Sequence, residues 1–295
     1  MNMELDFVRG RVDEVQPGVR RLIANNPSPF TYQGTNTYIV GRGEVAIIDP
    51  GPDDTAHLEA LLEETKGEQI KAIIVTHTHG DHATLVNPLK ARTGAPIIGC
   101  APYVPSTKSL VASGMDSSHS RDYVPERILV DNETLEIGDF ALTAIATPGH
   151  ASNHLCYELA GTGALFSGDH VMGWSTSVVI PPDGDMADYM ASLARLIAMD
   201  HKIYWPGHGG PVKDPQRFSR ALMHHRRQRE AAIVNRLRKG DRTIPEIVTA
   251  IYEGLDPKLA GAAGMSVLAH LEDLVGKGLV VSDGPVSRES AFRMA

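Results

Sequence analysis

Thr76-His77-Thr78-His79-Gly80-Asp81-His82 places four metal-competent side chains, His77, His79, Asp81 and His82, within six positions. Imidazole and carboxylate together suit zinc or a similar first-row divalent ion. One such cluster does not complete a site. A catalytic metal takes three protein ligands plus water, and a pair of metals about 3.5–4 Å apart needs a ligand that bridges them. Three further segments offer donors: Pro148-Gly149-His150, Ser167-Gly168-Asp169-His170 and Pro206-Gly207-His208-Gly209-Gly210. In each, a glycine beside the donor lets the backbone turn closely.

The elements before these donors are short apolar runs. Ile70 to Val75 is rich in β-branched residues and reads as a buried strand that ends at the first cluster. Phe140 to Thr147 leads to His150, Ala164 to Phe166 to Asp169, and Lys202 to Trp205 to His208. Four strand ends therefore deliver His or Asp side chains toward one region. Asp49, at the end of the Glu44 to Ile48 strand, is either an outer partner of a metal-bound histidine or a plain turn aspartate. Thr55 to Thr65, Asp81 to Arg92 and Ala187 to Met199 read as helices between strands, and Asn36 as a turn residue. Alternation of strand and helix predicts a layered α/β domain. Ala101 to Glu126 shows no clear pattern, and His119 within it reads as a surface-loop histidine. His154 and His170 lie close enough in sequence to be outer partners of the donors, and a structural role is the first reading for each.

The chain has 295 residues, 42% of them apolar, enough for one large domain and a small one. No run approaches the roughly 20 apolar residues of a membrane span. Met1 to Gly10 carries Glu4 and Asp6 and lacks the apolar centre of a signal peptide. Cys100 and Cys156 are too few for a disulfide framework and read as small core hydrophobes. A cytoplasmic protein is expected. The net charge of −8 divides into −12 over residues 1–215 and +4 over residues 216–295. That asymmetry suggests two domains with different partners.

The donor set resembles that of the metallo-β-lactamase-fold hydrolases over residues 12 to 215. The resemblance implies an αββα sandwich of two facing sheets. It implies that His77, His79 and His150 hold one metal, that Asp81, His82 and His208 hold the second, and that Asp169 bridges them. Zinc is the expected ion, and iron or manganese fits the same ligands. The implied chemistry is hydrolysis by a hydroxide held between two metals, with Asp81 orienting it as the catalytic carboxylate. Zinc β-lactamases lack a bridging aspartate at the position of Asp169. RNA-processing members with an inserted domain need more than the 38 residues between Asp169 and His208. Glyoxalase II and lactone hydrolases share the ligand set.

Residues 216–295 read as three helices, Pro215 to Lys239, Thr243 to Tyr252 and Pro257 to Lys277, followed by two short strands, Gly278 to Val281 and Ala291 to Met294. This is a winged-helix pattern, which serves nucleic-acid contact or a cap or homodimer contact. A sandwich followed by a winged helix is similar to the beta-lactamase-like-protein-2 group. Gln33-Gly34-Thr35-Asn36-Thr37-Tyr38, Leu165-Phe166-Ser167-Gly168-Asp169-His170, Tyr189-Met190-Ala191-Ser192-Leu193 and His225-Arg226-Arg227-Gln228-Arg229-Glu230 carry that likeness. The group includes an endoribonuclease, so single-stranded RNA is the first expected substrate and a small ester or thioester the second. A nucleic-acid-binding regulator with an idle metal site is the third reading.

Overall fold

The computed structural model describes residues 3, 5–105, 118–254 and 256–295. Its first sheet has seven strands in sequential order: β1 (Asp13–Gln16), β2 (Val19–Ile23), β3 (Asn36–Arg42), β4 (Glu44–Ile48), β5 (Gln69–Val75), β6 (Ile97–Gly99) and β7 (Arg127–Ile128). Strands β1 to β4 pair antiparallel, and β4 to β7 pair parallel. Parallel pairing needs a crossover. Helix α1 (Thr55–Glu64) supplies one between β4 and β5, capped by Asp54 Oδ1 on the amides of Ala56 and His57.

The second crossover differs from the continuous helix expected over Asp81 to Arg92. It breaks into α2 (Gly80–Ala83) and α3 (Val86–Thr93). Pro88 has no N–H and is tolerated only in a helix's first turn, so a new helix must begin just before it. The Leu85 amide is taken by Gly51 O instead.

The second sheet runs β12 (Ile203–Pro206), β11 (Ala164–Gly168), β10 (Leu155–Leu159), β9 (Phe140–Ala146) and β8 (Thr134–Ile137). Its inner residues Leu142, Ala144, Tyr157, Phe166 and Trp205 join Ile39, Ile47, Ile73 and Val75 of the first sheet in one core. Each such aliphatic side chain contributes about 1.5–3 kcal/mol by leaving water. The alternate residues Ile145, Leu165 and Tyr204 face outward onto α4 (Met186–Ile197). Cys100 and Cys156 are buried free thiols.

The C-terminal region holds α5 (Pro215–Arg238), α6 (Ile244–Ile251), a 3-10 turn at Pro257–Leu259, α7 (Ala260–Gly276) and the hairpin of β13 (Val280–Ser282) with β14 (Phe292–Met294). Thr243 and Glu246 form a capping box at the start of α6. Ile233, Leu237, Ile247, Leu268, Leu271 and Phe292 make its core. Helix α5 serves both regions, because Leu222 packs with α4 while Ile233 and Leu237 pack with α6 and α7.

Candidate metal centre

Four strands end at one edge of the sandwich. Strand β5 stops before His77, His79, Asp81 and His82, β9 before His150, β11 before Asp169 and β12 before His208. His77 Nε2 and His79 Nδ1 lie 2.9 Å apart, and His150 Nε2 is 3.3 and 3.1 Å from them. His82 Nε2 and His208 Nε2 lie 3.2 Å apart, with Asp81 Oδ2 at 3.5 and 3.2 Å. Asp169 stands between the two groups. Its Oδ1 is 3.5 Å from His82 Nε2, and its Oδ2 is 3.6 Å from His150 Nε2 and 3.3 Å from His208 Nε2.

Outer hydrogen bonds set the tautomers. Thr76 Oγ1 donates to Asp49 Oδ2 at 2.8 Å, so it accepts from His77 Nδ1 at 3.0 Å and leaves the His77 Nε2 lone pair facing inward. His82 Nδ1 donates to Asp49 Oδ2 at 2.9 Å, His150 Nδ1 to Val178 O at 2.6 Å, and His208 Nδ1 to Gly34 O at 3.3 Å. Asp49 is therefore the outer partner that its position allowed, not a plain turn residue.

The protonation pattern splits the two groups. Burial, then the neighbouring His82, His79 and His150, hold His77 well below the usual imidazole range. Burial and His150 lower His79 to about 3. Burial opposes charge on His82 and His208 too, but carboxylates outweigh it. Asp81, Asp169 and Asp49 hold His82 well above its ordinary value, and Asp169 and Asp81 hold His208 at about 9. Burial alone would raise Asp81 and Asp169; His82 and His208 outweigh it and hold both carboxyls low.

These residues fit two divalent cations. Lone pairs 2.9–3.3 Å apart converge on common points, and donors about 2.0–2.1 Å from a tetrahedral zinc are separated by about 3.3 Å. The buried Asp169 Oδ1 has no hydrogen-bond donor among the described residues, and a cation would satisfy it. Filling the second group displaces the protons of His82 and His208, so binding there releases protons at neutral pH.

The profile described as the Metallo-beta-lactamase superfamily matches residues 31–208, more than half of the chain. The chain belongs to that superfamily. The profile of the Beta-lactamase associated winged helix domain matches residues 243–288. The protein is 30% identical over 280 residues to the beta-lactamase-like protein 2 homolog of Caenorhabditis elegans, covering 91% of this chain and 88% of that one. It is 29% identical over 255 residues to a Claviceps purpurea protein named atrochrysone carboxyl ACP thioesterase, covering 83% and 76%. A beta-lactamase domain protein from Burkholderia ambifaria superposes with a TM-score of 0.80 over 98% of this chain and 96% of its own, at 21% identity, a likeness of fold. Members of the superfamily are in general metal-dependent hydrolases, and this protein is a metal-dependent hydrolase of that superfamily. Divalent cations supply Lewis acidity that lowers the pKa of water and polarises a substrate oxygen.

Several side chains support this superfamily site without pattern in the sequence. Asn36 is not a turn residue; it is buried, and its amide donates to Pro206 O and Gly209 O at 2.9 Å each, fixing the His208 loop. His154 Nε2 accepts the Asp169 amide at 3.2 Å, and its Nδ1 donates to Thr147 Oγ1 at 2.8 Å. Arg226 of α5 donates to Ser177 O, and Ser177 Oγ donates to Asp169 O at 2.5 Å. His119 is not a surface histidine. It is 5% exposed, forms a bridge with His79 and stacks on Tyr103. A lone histidine among serines gave no sign that its ring packs against His79, with centroids 4.6 Å apart.

Gly207 allows the two groups to approach. A Cβ there would lie 2.5 Å from Asp169 Oδ1 and 2.6 Å from His82 Cε1. Gly207→Ala should therefore lower metal content and hydrolysis together, although all seven donor residues are retained, because Asp169 and His82 must shift. Metal analysis of the purified variant checks this; full occupancy would show that the loop yields.

Proposed function

We propose that the protein hydrolyses an acyl thioester, with His77, His79 and His150 holding one divalent cation, Asp81, His82 and His208 the other, and Asp169 between them. Zinc is the proposed ion; iron or manganese suits the same donors, and availability decides. Asp81 is the most open of the carboxylates, with 28% of its side chain exposed, and Thr35 Oγ1 donates to its Oδ2 at 3.4 Å. It is placed to orient the attacking water. The bond between carbonyl carbon and sulfur breaks, water supplies the oxygen of the new acid, and its proton passes to the leaving thiolate.

The charge of a groove that reaches Asp183, a carboxylate within 4.8 Å of a His79 ring nitrogen, carries the choice of substrate. A groove of about 1010 Å³ runs between residues 182–188 and α7, bordered by Asp183, Asp185, Asp188, Glu272 and Asp273. Lys277 is the one cation among its described lining residues, and it is paired with Asp273 at 2.7 Å and Glu230 at 3.2 Å. Burial, with Asp185 adding to it, pushes Glu272 up to about 7, so the negative charge of the border rests on the four aspartates. A polyanion is repelled by such a border, whereas an uncharged acyl thioester is not. The relative named as a thioesterase supports the same reading.

Cleavage of single-stranded RNA is the second reading, and one observation favours it. Arg217, Arg220, His224 and Arg227 are exposed on α5 at three- and four-residue spacing, and the arginines make no ion pair among the described residues. We also place the protein in the cytoplasm, a reading supported by its free thiols. No described helix is long and apolar enough to cross a membrane.

The test offers metal-loaded protein an acyl-pantetheine thioester, S-lactoylglutathione and a labelled single-stranded RNA, with His150→Ala beside wild type. Thioester turnover that the variant loses, with intact RNA, supports the first reading. RNA cleavage lost in the variant, with stable thioesters, replaces it with the second.

A further inference from the structure

Five imidazoles converge on the metal centre, and four have their outer nitrogen fixed, by Thr76, Asp49, Val178 O and Gly34 O. His79 is different. It turns Nδ1 inward toward His77 and His150, and its Nε2 has no hydrogen-bond partner among the described residues. A metal-bound imidazole donates its other N–H to a carboxylate, carbonyl or water, which fixes the ring and strengthens it as a donor. The groups that can serve are close at hand. A ring nitrogen of His79, one of His119 and a carboxylate oxygen of Asp183 lie within 4.8 Å of one another.

His119 and Asp183 are held as a pair. His119 Nε2 is 3.2 Å from Asp183 Oδ2, yet both buried atoms lack a well-formed hydrogen bond. His119 Nδ1 is 2.8 Å from Thr78 Oγ1, and its ring stacks on Tyr103 with centroids 3.7 Å apart. Asp183 Oδ1 accepts the Ser152 amide at 3.0 Å, which leaves Oδ2 as the oxygen still without a well-formed hydrogen bond among the described residues. We infer that Asp183, braced by His119, is the outer partner of His79: its carboxylate accepts the His79 Nε2–H and so positions Nδ1 for the cation shared with His77 and His150. This rests on the dinuclear reading of the centre. A third cation in the same cluster is the competing use. With Nδ1 already committed, His79 would have to give up both ring protons, and without it two protein donors remain, fewer than such an ion takes.

The test measures binding, not turnover. Metal-stripped wild type, Asp183→Ala, Asp183→Asn and His119→Phe are titrated with Zn2+ against a chelating dye, and thermal unfolding of each metal-free form is followed alongside. Wild type should bind two ions per chain. Asp183→Ala should weaken one of them about 10–100-fold. Asp183→Asn retains an acceptor for the Ser152 amide and should fold as wild type does, yet still bind that ion more weakly. His119→Phe preserves the stack on Tyr103 and should also weaken it. Wild-type affinity in both Asp183 variants overturns the inference, as does a third ion that wild type binds and both variants lose. A wild type that binds no ion sinks the metal-centre reading itself, and the inference falls with it.

Discussion

Asp169→Ala is expected to cost on the order of 10³-fold in kcat/KM, about 4 kcal/mol of transition-state stabilisation, and to lower the metal content from two ions per chain toward one. The carboxylate reaches both donor groups, with Oδ1 3.5 Å from His82 Nε2 and Oδ2 3.6 Å from His150 Nε2. No other described carboxylate stands between them, since Asp81 faces His82 and His208 alone. Asp169→Asn should lose nearly as much, because a neutral amide keeps the shape but not the charge that holds two cations together. Metal analysis and hydrolysis of the two variants check this. Two ions and activity within tenfold of wild type would show that Asp169 does not bridge.

The same carboxylate predicts a pH dependence for the metal-free protein. His208 titrates at about 9 in the folded chain against 6.5 for an ordinary histidine, with Asp169 the largest influence opposing its burial. A group that binds its proton more tightly when folded adds stability that is complete below pH 6.5 and is lost as pH rises through about 9. Thermal unfolding of metal-free wild type should therefore weaken across that window. Asp169→Ala should show a shallower decline from a lower starting point.

Much of this centre was legible because it depends on local order. A β-branched run, a turn and a histidine are contiguous, and the four strand ends declared their donors one by one. The layered α/β order and the helix–helix–helix–wing pattern followed from periodicity for the same reason, whereas the pair of facing sheets came only with the family resemblance. What escaped was the set of contacts made across long stretches of chain. Asn36 bonds to carbonyls 170 and 173 residues away, and nothing in its own neighbourhood announces them. Asp183 lies in a proline-rich loop whose path is set by packing against residues 149–152. Arg226 sits among other arginines on α5, and only the fold reveals that it alone of them turns inward to Ser177 while Arg217, Arg220 and Arg227 face solvent. The break at Thr84 and Leu85 is hidden in the sequence for a different reason. Apolar periodicity continued through it, and Pro88 was the sole mark of a new first turn.

Asp49→Ala should be the most damaging change outside the donor set. The side chain is 2% exposed. Its Oδ1 accepts the Thr76 amide at 2.8 Å, and its Oδ2 accepts Thr76 Oγ1 at 2.8 Å and His82 Nδ1 at 2.9 Å. Removing it orphans three buried donors, each worth about 1–3 kcal/mol when left unpaired. The backbone adds to this, because Asp49 has φ of 52°, a region that aspartate enters more readily than alanine. A loss of about 3–5 kcal/mol in folding stability is expected. Asparagine should not rescue it, since turning its NH2 toward either side sets a donor against the Thr76 amide or against Thr76 Oγ1 and His82. Zinc affinity should fall at both groups by about 10–100-fold, because His82 is held directly and His77 through Thr76. His208→Ala offers the contrast: it deletes a donor from one group and leaves the outer bonds of the other intact. Zinc titration and thermal unfolding of the two variants separate the cases. If Asp49→Ala weakens only the group containing His82, the relay through Thr76 to His77 does not operate, and Asp49 serves one metal instead of two.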